Sequence, residues 1–452
     1  VKGDFSGMVA AGKVEGKLAQ VATAQGLSEK YYHSFPVTFW DIYIQSGIPI
    51  RIKLSDMGPL LLSRLMDLSV TQQGVLNLVF KIAHDNGWLL TDIKDLRMLL
   101  SYISEKAGQY EADYGRISSM SVAAIQRQLL GLESDGADVL FGEPSLELGD
   151  LLSQKNGQGM VNILAGSKLM QSPKTFSALL LWLLTQLFSE FPEVGDLSLP
   201  KLVLFFDEAH LLFEHTTAEL LQKIEQVVRL IRSKGVGVYF CTQSPLDLPE
   251  VILGQLGNRI QHALRAYTPK DQKNVKAAAQ TFRANVDLNV EEAISTMGVG
   301  EALISFLDDT GTPQPVTRAH IMLPASCLTP LTEQEVAACA KQSSLYTKYA
   351  HRVDNFSASE AIEKIKSTMT TAKSEKALDE DRRKSQTNKV SKGEIRDVFS
   401  KGSINVATGF LRGLFGLRKS SRKGMSYDIS NEIGKELKER IRRTIISVIR
   451  RK

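Results

Sequence analysis

The sequence predicts an α/β fold on a largely parallel sheet, and three observations carry that prediction. Residues 202 to 206, Leu-Val-Leu-Phe-Phe, form a short unbroken apolar run of the kind that a strand covered on both faces requires, and the run stops abruptly at Asp207 and Glu208. A second apolar run, 237 to 241, ends in the polar turn Thr242, Gln243, Ser244, Pro245. Around them, apolar runs alternate with stretches of helical periodicity, which is the rhythm of βαβ units.

In chain order, residues 37 to 43 and 48 to 54 read as two strands around a turn at Gly47, a hairpin-like feature. Residues 58 to 68, 72 to 83, 93 to 106 and 121 to 132 carry apolar side chains at spacings of three and four, which predicts a mostly helical insertion. A strand at 160 to 165 follows. A helix then starts with Ser172 as N-cap and Pro173 as its first residue and runs to about residue 191. After the strand at 202 to 206, Thr216 and Glu219 form a capping box for a helix from about residue 217. Segments 259 to 266, 301 to 307 and 316 to 323 are further strands, the last two joined by the turn Asp308 to Pro313.

These readings divide the chain into the start of a core with the hairpin (1 to 55), a helical insertion (56 to 135), the main core (136 to 330), a charged linker without a core of its own (331 to 400) and a basic amphipathic helical tail (401 to 452). In the tail, Ile429, Ile433, Leu437, Ile441 and Ile445 recur every four residues between lysines and arginines.

Composition bounds the possibilities. At 452 residues and 43% hydrophobic, the chain can bury a large core. Its longest apolar stretch, 178 to 188, falls short of the roughly 20 residues that cross a bilayer, so no transmembrane segment is expected. Three cysteines, Cys241, Cys327 and Cys339, without metal-ligand spacing, together with the lack of a signal peptide, point to a reducing cytoplasm, and Cys241 on its apolar strand reads as inert core. The net charge of +5 hides an asymmetry: residues 331 to 452 hold 27 lysines and arginines against 15 aspartates and glutamates, so the remainder is acidic, at −7. A basic tail suits nucleic acid or an anionic surface, with a solvated tail or helix packing as the alternatives.

An apolar strand ending in two carboxylates is the pattern of a Walker B strand in a P-loop ATPase. There Asp207 holds Mg²⁺, usually through water, and Glu208 polarises the water that attacks the γ-phosphate of ATP. The alternative is a core strand running into an acidic helix start. Gln243, at the end of the next strand, can sense the γ-phosphate or orient that water, or simply cap its loop. Arg229 and Arg232 precede Gly235 at a helix end, where cations complement the helix dipole; they could also reach a phosphate at a subunit boundary. A matching phosphate loop needs G-x-x-x-x-G-K-[ST], and the nearest run, Gly7 to Val14, ends in a valine without a hydroxyl and has no strand before it. We read it as a decoy. Because the chain also opens on Val1, the expectation is that residue 1 lies inside a longer protein, with the first strand and the P-loop upstream.

The segments VKGDFSG, GPLLLSRLMDLS, TQQGVLNLVF, KLVLFFDEAHLLF, KIEQVVRLIRSKGVGVYFCTQSPLDLP, VILGQLGNRIQHALRA and VGEALISFL, spread over residues 1 to 325, resemble the HerA/FtsK branch of P-loop ATPases, and within it the bacterial HerA-like helicase family of the YjgR type. The resemblance implies a RecA-like P-loop NTPase core, ATP and Mg²⁺ as cofactors, a homo-hexamer acting on double-stranded DNA, and a possible nuclease partner. It implies Asp207 as the Mg²⁺ aspartate, Glu208 as the catalytic base, Gln243 as the sensor glutamine (with Thr242 where serine is usual) and Arg232 as a nucleotide-contacting arginine, with Arg229 and Arg259 as further candidates. The function expected is thus an ATP-dependent DNA translocase or helicase-like motor, the chain lacking a phosphate loop and inactive alone. Two alternatives remain: a two-domain DEAH-box helicase, for which residues after 330 offer no second core, and a non-catalytic nucleotide- or nucleic-acid-binding scaffold.

Overall fold

The computed structural model of the protein describes residues 4–195, 197–213 and 218–371. The elements begin with α1 (Lys17–Ala24), β1 (Val37–Asp41), β2 (Ile48–Pro49), α2 (Leu54–Leu65), α3 (Val70–Asn86), α4 (Ile93–Glu105), α5 (Ala107–Tyr114) and α6 (Ser119–Ser134). They continue with α7 (Leu148–Leu151), β3 (Gln154–Lys155), β4 (Gln158–Gly159), β5 (Val161–Leu164), α8 (Pro173–Glu190), β6 (Leu202–Phe206), α9 (Ala218–Leu230) and β7 (Val236–Phe240). The last are α10 (Glu250–Leu253), β8 (Arg259–Gln261), α11 (Pro269–Gln280), α12 (Val290–Thr296), β9 (Glu301–Ser305), β10 (Thr317–His320), α13 (Glu333–Gln342) and α14 (Tyr346–Tyr349).

The fold is α/β, with parallel pairing in β1, β2 and β5 and in β6 and β7. β1 pairs in parallel with β5, Val37 opposite Val161 through Trp40 opposite Leu164. β6 pairs in parallel with β7, Leu202 opposite Val236 through Phe206 opposite Phe240. The later strands β8, β9 and β10 are antiparallel neighbours; β9 and β10 are joined by a short connection that permits reversal, whereas β8 reaches β9 through α11 and α12.

The hairpin expected at residues 37 to 54 is not one. β1 and β2 run parallel, Trp40 opposite Ile48 and Asp41 opposite Pro49. The buried Asp41 carboxylate accepts hydrogen bonds from the backbone N–H groups of Tyr43, Gln45 and Ser46, and this holds the connection in a loop that brings β2 back in the same direction as β1. Such side-chain acceptance is what lets an aspartate replace a backbone turn.

Helices α2 to α6 follow one another between β2 and α7, over the residues where helices were expected. Ser69 with Gln72 caps α3 and Asp92 with Asp95 caps α4 reciprocally, so two orphan N–H groups are satisfied at each start. Gly58, at φ 66, breaks α2 just before Pro59. Their apolar faces do not make a separate core: Leu62, Leu76, Val79, Leu96, Leu99, Ile125 and Leu129 are buried in one cluster with Trp40 and Ile48 of the sheet. Each such leucine contributes roughly 1.5–3 kcal/mol of burial. The helix at 173 begins on Pro173 after Ser172, although the Ser172 side chain makes no capping hydrogen bond.

The charged linker expected from residue 331 is corrected as well. Through Thr368 this segment is part of the same unit. Ala340, Tyr349, Ala358 and Ile362 are buried in the main core, and the buried Arg51 donates to the Tyr349 carbonyl at 2.9 Å. Asp95 accepts from Ser359 N at 3.1 Å and from Ser357 Oγ, which fixes the strap to the start of α4. The amphipathic tail at 401 to 452 and the Thr216 side of the capping box lie outside the described residues.

Candidate functional site

The register of β6 and β7 sets the site. With Phe206 opposite Phe240, both strands end level, and the chain after each end turns at one rim. Cys241 N donates to the Phe206 carbonyl at 2.8 Å and Ala209 N donates to the Cys241 carbonyl at 2.9 Å, so the two turns are stitched together. Ligands of open parallel sheets collect at this carboxyl rim.

Glu208 sits in the left-handed region at φ 52, a conformation unfavourable for a residue with a side chain and concentrated at functional sites. Gln243 Nε2 donates to both of its carboxylate oxygens, at 3.3 and 3.2 Å. His210 Nδ1 lies 3.5 Å from Glu208 Oε2 and is buried without a hydrogen-bond partner, so a charged imidazole there would pair with Glu208. The Gln243 turn is rigid: Thr242 Oγ1 and Ser244 N both donate to Asp247 Oδ2 at 3.0 Å, and Leu246 N donates to Ser244 Oγ at 3.2 Å. The expected neighbourhood of Glu208 and Gln243 is therefore real, and His210 is a member that the sequence reading missed. Its signal was present in the DEAH run, where a residue two beyond the glutamate falls in the first turn after the strand.

Asp207 is exposed at the same rim. Cys241, expected as inert core, is exposed too, and its thiol is pushed up first by partial burial and then by the Asp207 charge. A carboxylate oxygen at an open rim suits Mg²⁺, a hard cation that keeps several waters and takes one or two carboxylates plus phosphate oxygens. The described residues hold no group of three or more histidine, cysteine or acidic side chains that could cage a metal.

The arginines lie elsewhere. Arg232 falls in the turn Ile231–Lys234 that leads into the start of β7, one strand length, about 16 Å at roughly 3.3 Å per residue, from the Gln243 rim. Arg229, one helical turn earlier, pairs with Glu225. Neither lies at the rim that carries Glu208. Arg259 opens β8, where its guanidinium donates to the Leu256 and Thr281 carbonyls and half-burial lowers its pKa, so it braces the β8 turn.

The decoy run is engaged by backbone. Gly12 N donates to the Ala325 carbonyl at 2.9 Å, and Ala11 forms an isolated antiparallel bridge with Ser326. A Cβ at Gly7 would collide with the Cys327 carbonyl. These groups line the 325 to 329 segment.

The outer face of β6 and β7 departs from the expectation of two-sided burial. Leu202, Leu204, Phe206, Val238 and Phe240 pack toward the core, whereas Val203, Phe205 and Tyr239 are exposed, Phe205 by 65%, with the Phe205 and Tyr239 rings stacked at 4.6 Å.

Comparison with known proteins places this geometry in a family. The profile described as Helicase HerA-like C-terminal matches residues 1–451. The DNA double-strand break repair helicase HerA of Sulfolobus acidocaldarius is 32% identical over 99 residues, which is 22% of this chain and 19% of that protein, so the match spans about a fifth of the curated relative's length. Among solved structures, the bacterial conjugative coupling protein TrwB in complex with ADP and Mg²⁺ aligns over 69% of this chain and 84% of its own, at 13% identity and a TM-score of 0.43. B204, the DNA-packaging ATPase from Sulfolobus Turreted Icosahedral Virus, aligns over 40% of this chain and 75% of its own, at 17% identity and a TM-score of 0.27. With a profile match that runs essentially end to end, this chain belongs to the helicase HerA-like C-terminal family.

Proposed function

We propose that the chain provides the hydrolytic rim of an ATP-dependent motor that moves double-stranded DNA. The observation that carries this reading is the pairing of Glu208 with Gln243 across parallel strand ends, beside the exposed Asp207. In such a site Glu208 accepts a proton from the attacking water, Gln243 fixes the carboxylate's orientation, and Asp207 holds Mg²⁺. The metal, when bound, neutralises charge on the phosphate oxygens. The rigid Asp247 cap keeps Gln243 from rotating away.

Family membership supports ATP and Mg²⁺ as the cofactors. Arg232 and Arg229, at the far end of β7, serve this reading only by reaching the nucleotide site of a neighbouring copy, which suits a ring such as a homo-hexamer. Three free cysteines and the finding that no helix among the described residues is long and apolar enough to cross a membrane are consistent with a cytoplasmic location. A nuclease partner remains part of the proposal through the family resemblance alone.

The test is ATP hydrolysis by the protein with and without duplex DNA, compared with Glu208→Gln. The variant should bind Mg·ATP while turnover falls by about 10²–10⁴-fold, the range for removal of a general base. Hydrolysis that survives the substitution at the parental rate overturns the assignment.

A further inference from the structure

We infer that the outward face of α11 is a grip for the phosphate backbone of duplex nucleic acid. The inference rests on the DNA-motor reading above and adds to it a surface. Along Pro269–Gln280, Lys270, Lys273 and Lys276 recur every three residues and are all exposed, whereas Val275 and Ala278 are buried against α12 and β9. At 100° per residue the lysines lie on the side opposite those two anchors. Tyr267, 87% exposed, stands just before the helix start and extends the same end.

Three details separate this face from an ordinary solvated one. The only acidic residue on α11, Asp271, is occupied: its carboxylate accepts from Tyr267 N at 3.1 Å and Thr268 N at 2.9 Å, closing a capping box with Thr268, so it faces the cap. Among the described residues, no ion pair involves any of the three lysines. The body that carries them is acidic, at −7 over residues 1 to 330, so a local run of three cations stands out against the surrounding field. Steps of about 4.5 Å along the helix, at 1.5 Å per residue, spread the lysines over about 9 Å, close to the roughly 7 Å that three successive phosphates of one strand cover along the duplex axis at about 3.4 Å each.

The position of the face gives it a consequence for hydrolysis. α11 packs against the turn Pro245–Asp247, the segment whose Asp247 carboxylate holds Thr242 and Ser244 on either side of Gln243. A strand seated on this helix would thus lie beside the element that positions the Glu208 partner.

The experiment titrates the full chain with a random-sequence 30-base-pair duplex over a range of salt, alongside the triple variant Lys270→Gln, Lys273→Gln, Lys276→Gln. Each phosphate contact contributes about 0.9 to the slope of log affinity against log salt, so the variant should lose a slope of about 2–3. In parallel, amine-reactive labelling of the unmodified chain should be slowed at these three lysines when duplex is bound, a readout independent of how the variant folds. An unchanged slope with unprotected lysines overturns the inference and leaves the DNA reading intact. No binding of duplex by the parental chain at any salt overturns both, whereas protection of these lysines by an acidic protein but never by duplex overturns the inference alone.

Discussion

Gln243 holds Glu208 by both carboxylate oxygens, at 3.3 and 3.2 Å, across the ends of two parallel strands. A carboxylate on a left-handed backbone and clasped by an amide is restrained in its orientation.

Replacing Gln243 by Ala should therefore slow hydrolysis while leaving nucleotide affinity close to the parental value. A hydrogen bond to a charged group is worth about 1.5–3 kcal/mol, which corresponds to a fall of about 10- to 150-fold in kcat. Steady-state ATPase assays read it directly; a rise in KM with constant kcat would show that Gln243 acts in binding instead.

Lys13 supplies a control. If Gly7 to Val14 were a phosphate loop, Lys13→Ala would abolish ATP binding, because the lysine of such a loop reaches the terminal phosphates. The Gly12 and Ala11 contacts to the 325 to 327 segment predict no change in Mg·ATP affinity by equilibrium binding.

Trp40 ties the sheet to the strap. It is 1% exposed, meets Tyr349 edge-on with ring centroids 5.5 Å apart, and donates from Nε1 to Asn162 Oδ1 at 2.9 Å. Trp40→Ala should cost about 3–5 kcal/mol in urea unfolding, the range for a buried aromatic truncated to a cavity, with an orphaned Asn162 included.

Glu360 makes the strap sensitive to acid. Hydrogen bonds from Ser357 hold its carboxyl down at about 2 from 4.5, against a smaller opposing effect of burial. A depressed carboxyl stabilises the folded form above its unfolded value, so the contribution is complete above about pH 4.5 and disappears as pH falls toward 2. Glu360→Gln should flatten the loss of strap protection over that window, followed by hydrogen exchange of residues 357 to 362; the group is largely open to solvent, which keeps the effect small.

Local pattern carried the elements well and the long-range contacts poorly. The strand at 202 to 206 is where its apolar run placed it, and β7 begins one residue early, because strand ends at a polar rim are written in the residues themselves. The adjacency of Glu208 and Gln243 followed from strand succession alone. What the pattern could not show was direction and destination. The parallel return of β2 depends on the Asp41 carboxylate collecting three N–H groups, and the strap from Thr332 onward joins the core through isolated anchors, Tyr349 and Ile362, set among charges that read as linker. The separation of Arg232 from the rim was in principle legible: a residue preceding a strand and a residue following it stand at opposite ends.

The stacked rings of Phe205 and Tyr239 bear on how this polypeptide behaves in a test tube. Among the described residues β6 and β7 pair only with each other, so their outer edges carry unused peptide groups next to a bare aromatic ladder. That combination is adhesive, since any extended apolar peptide can add to it and shed water in the process. Whatever blankets the ladder decides whether the purified material stays dispersed or coalesces, and colloidal behaviour thereby becomes a sensitive report on the integrity of the β6–β7 pair.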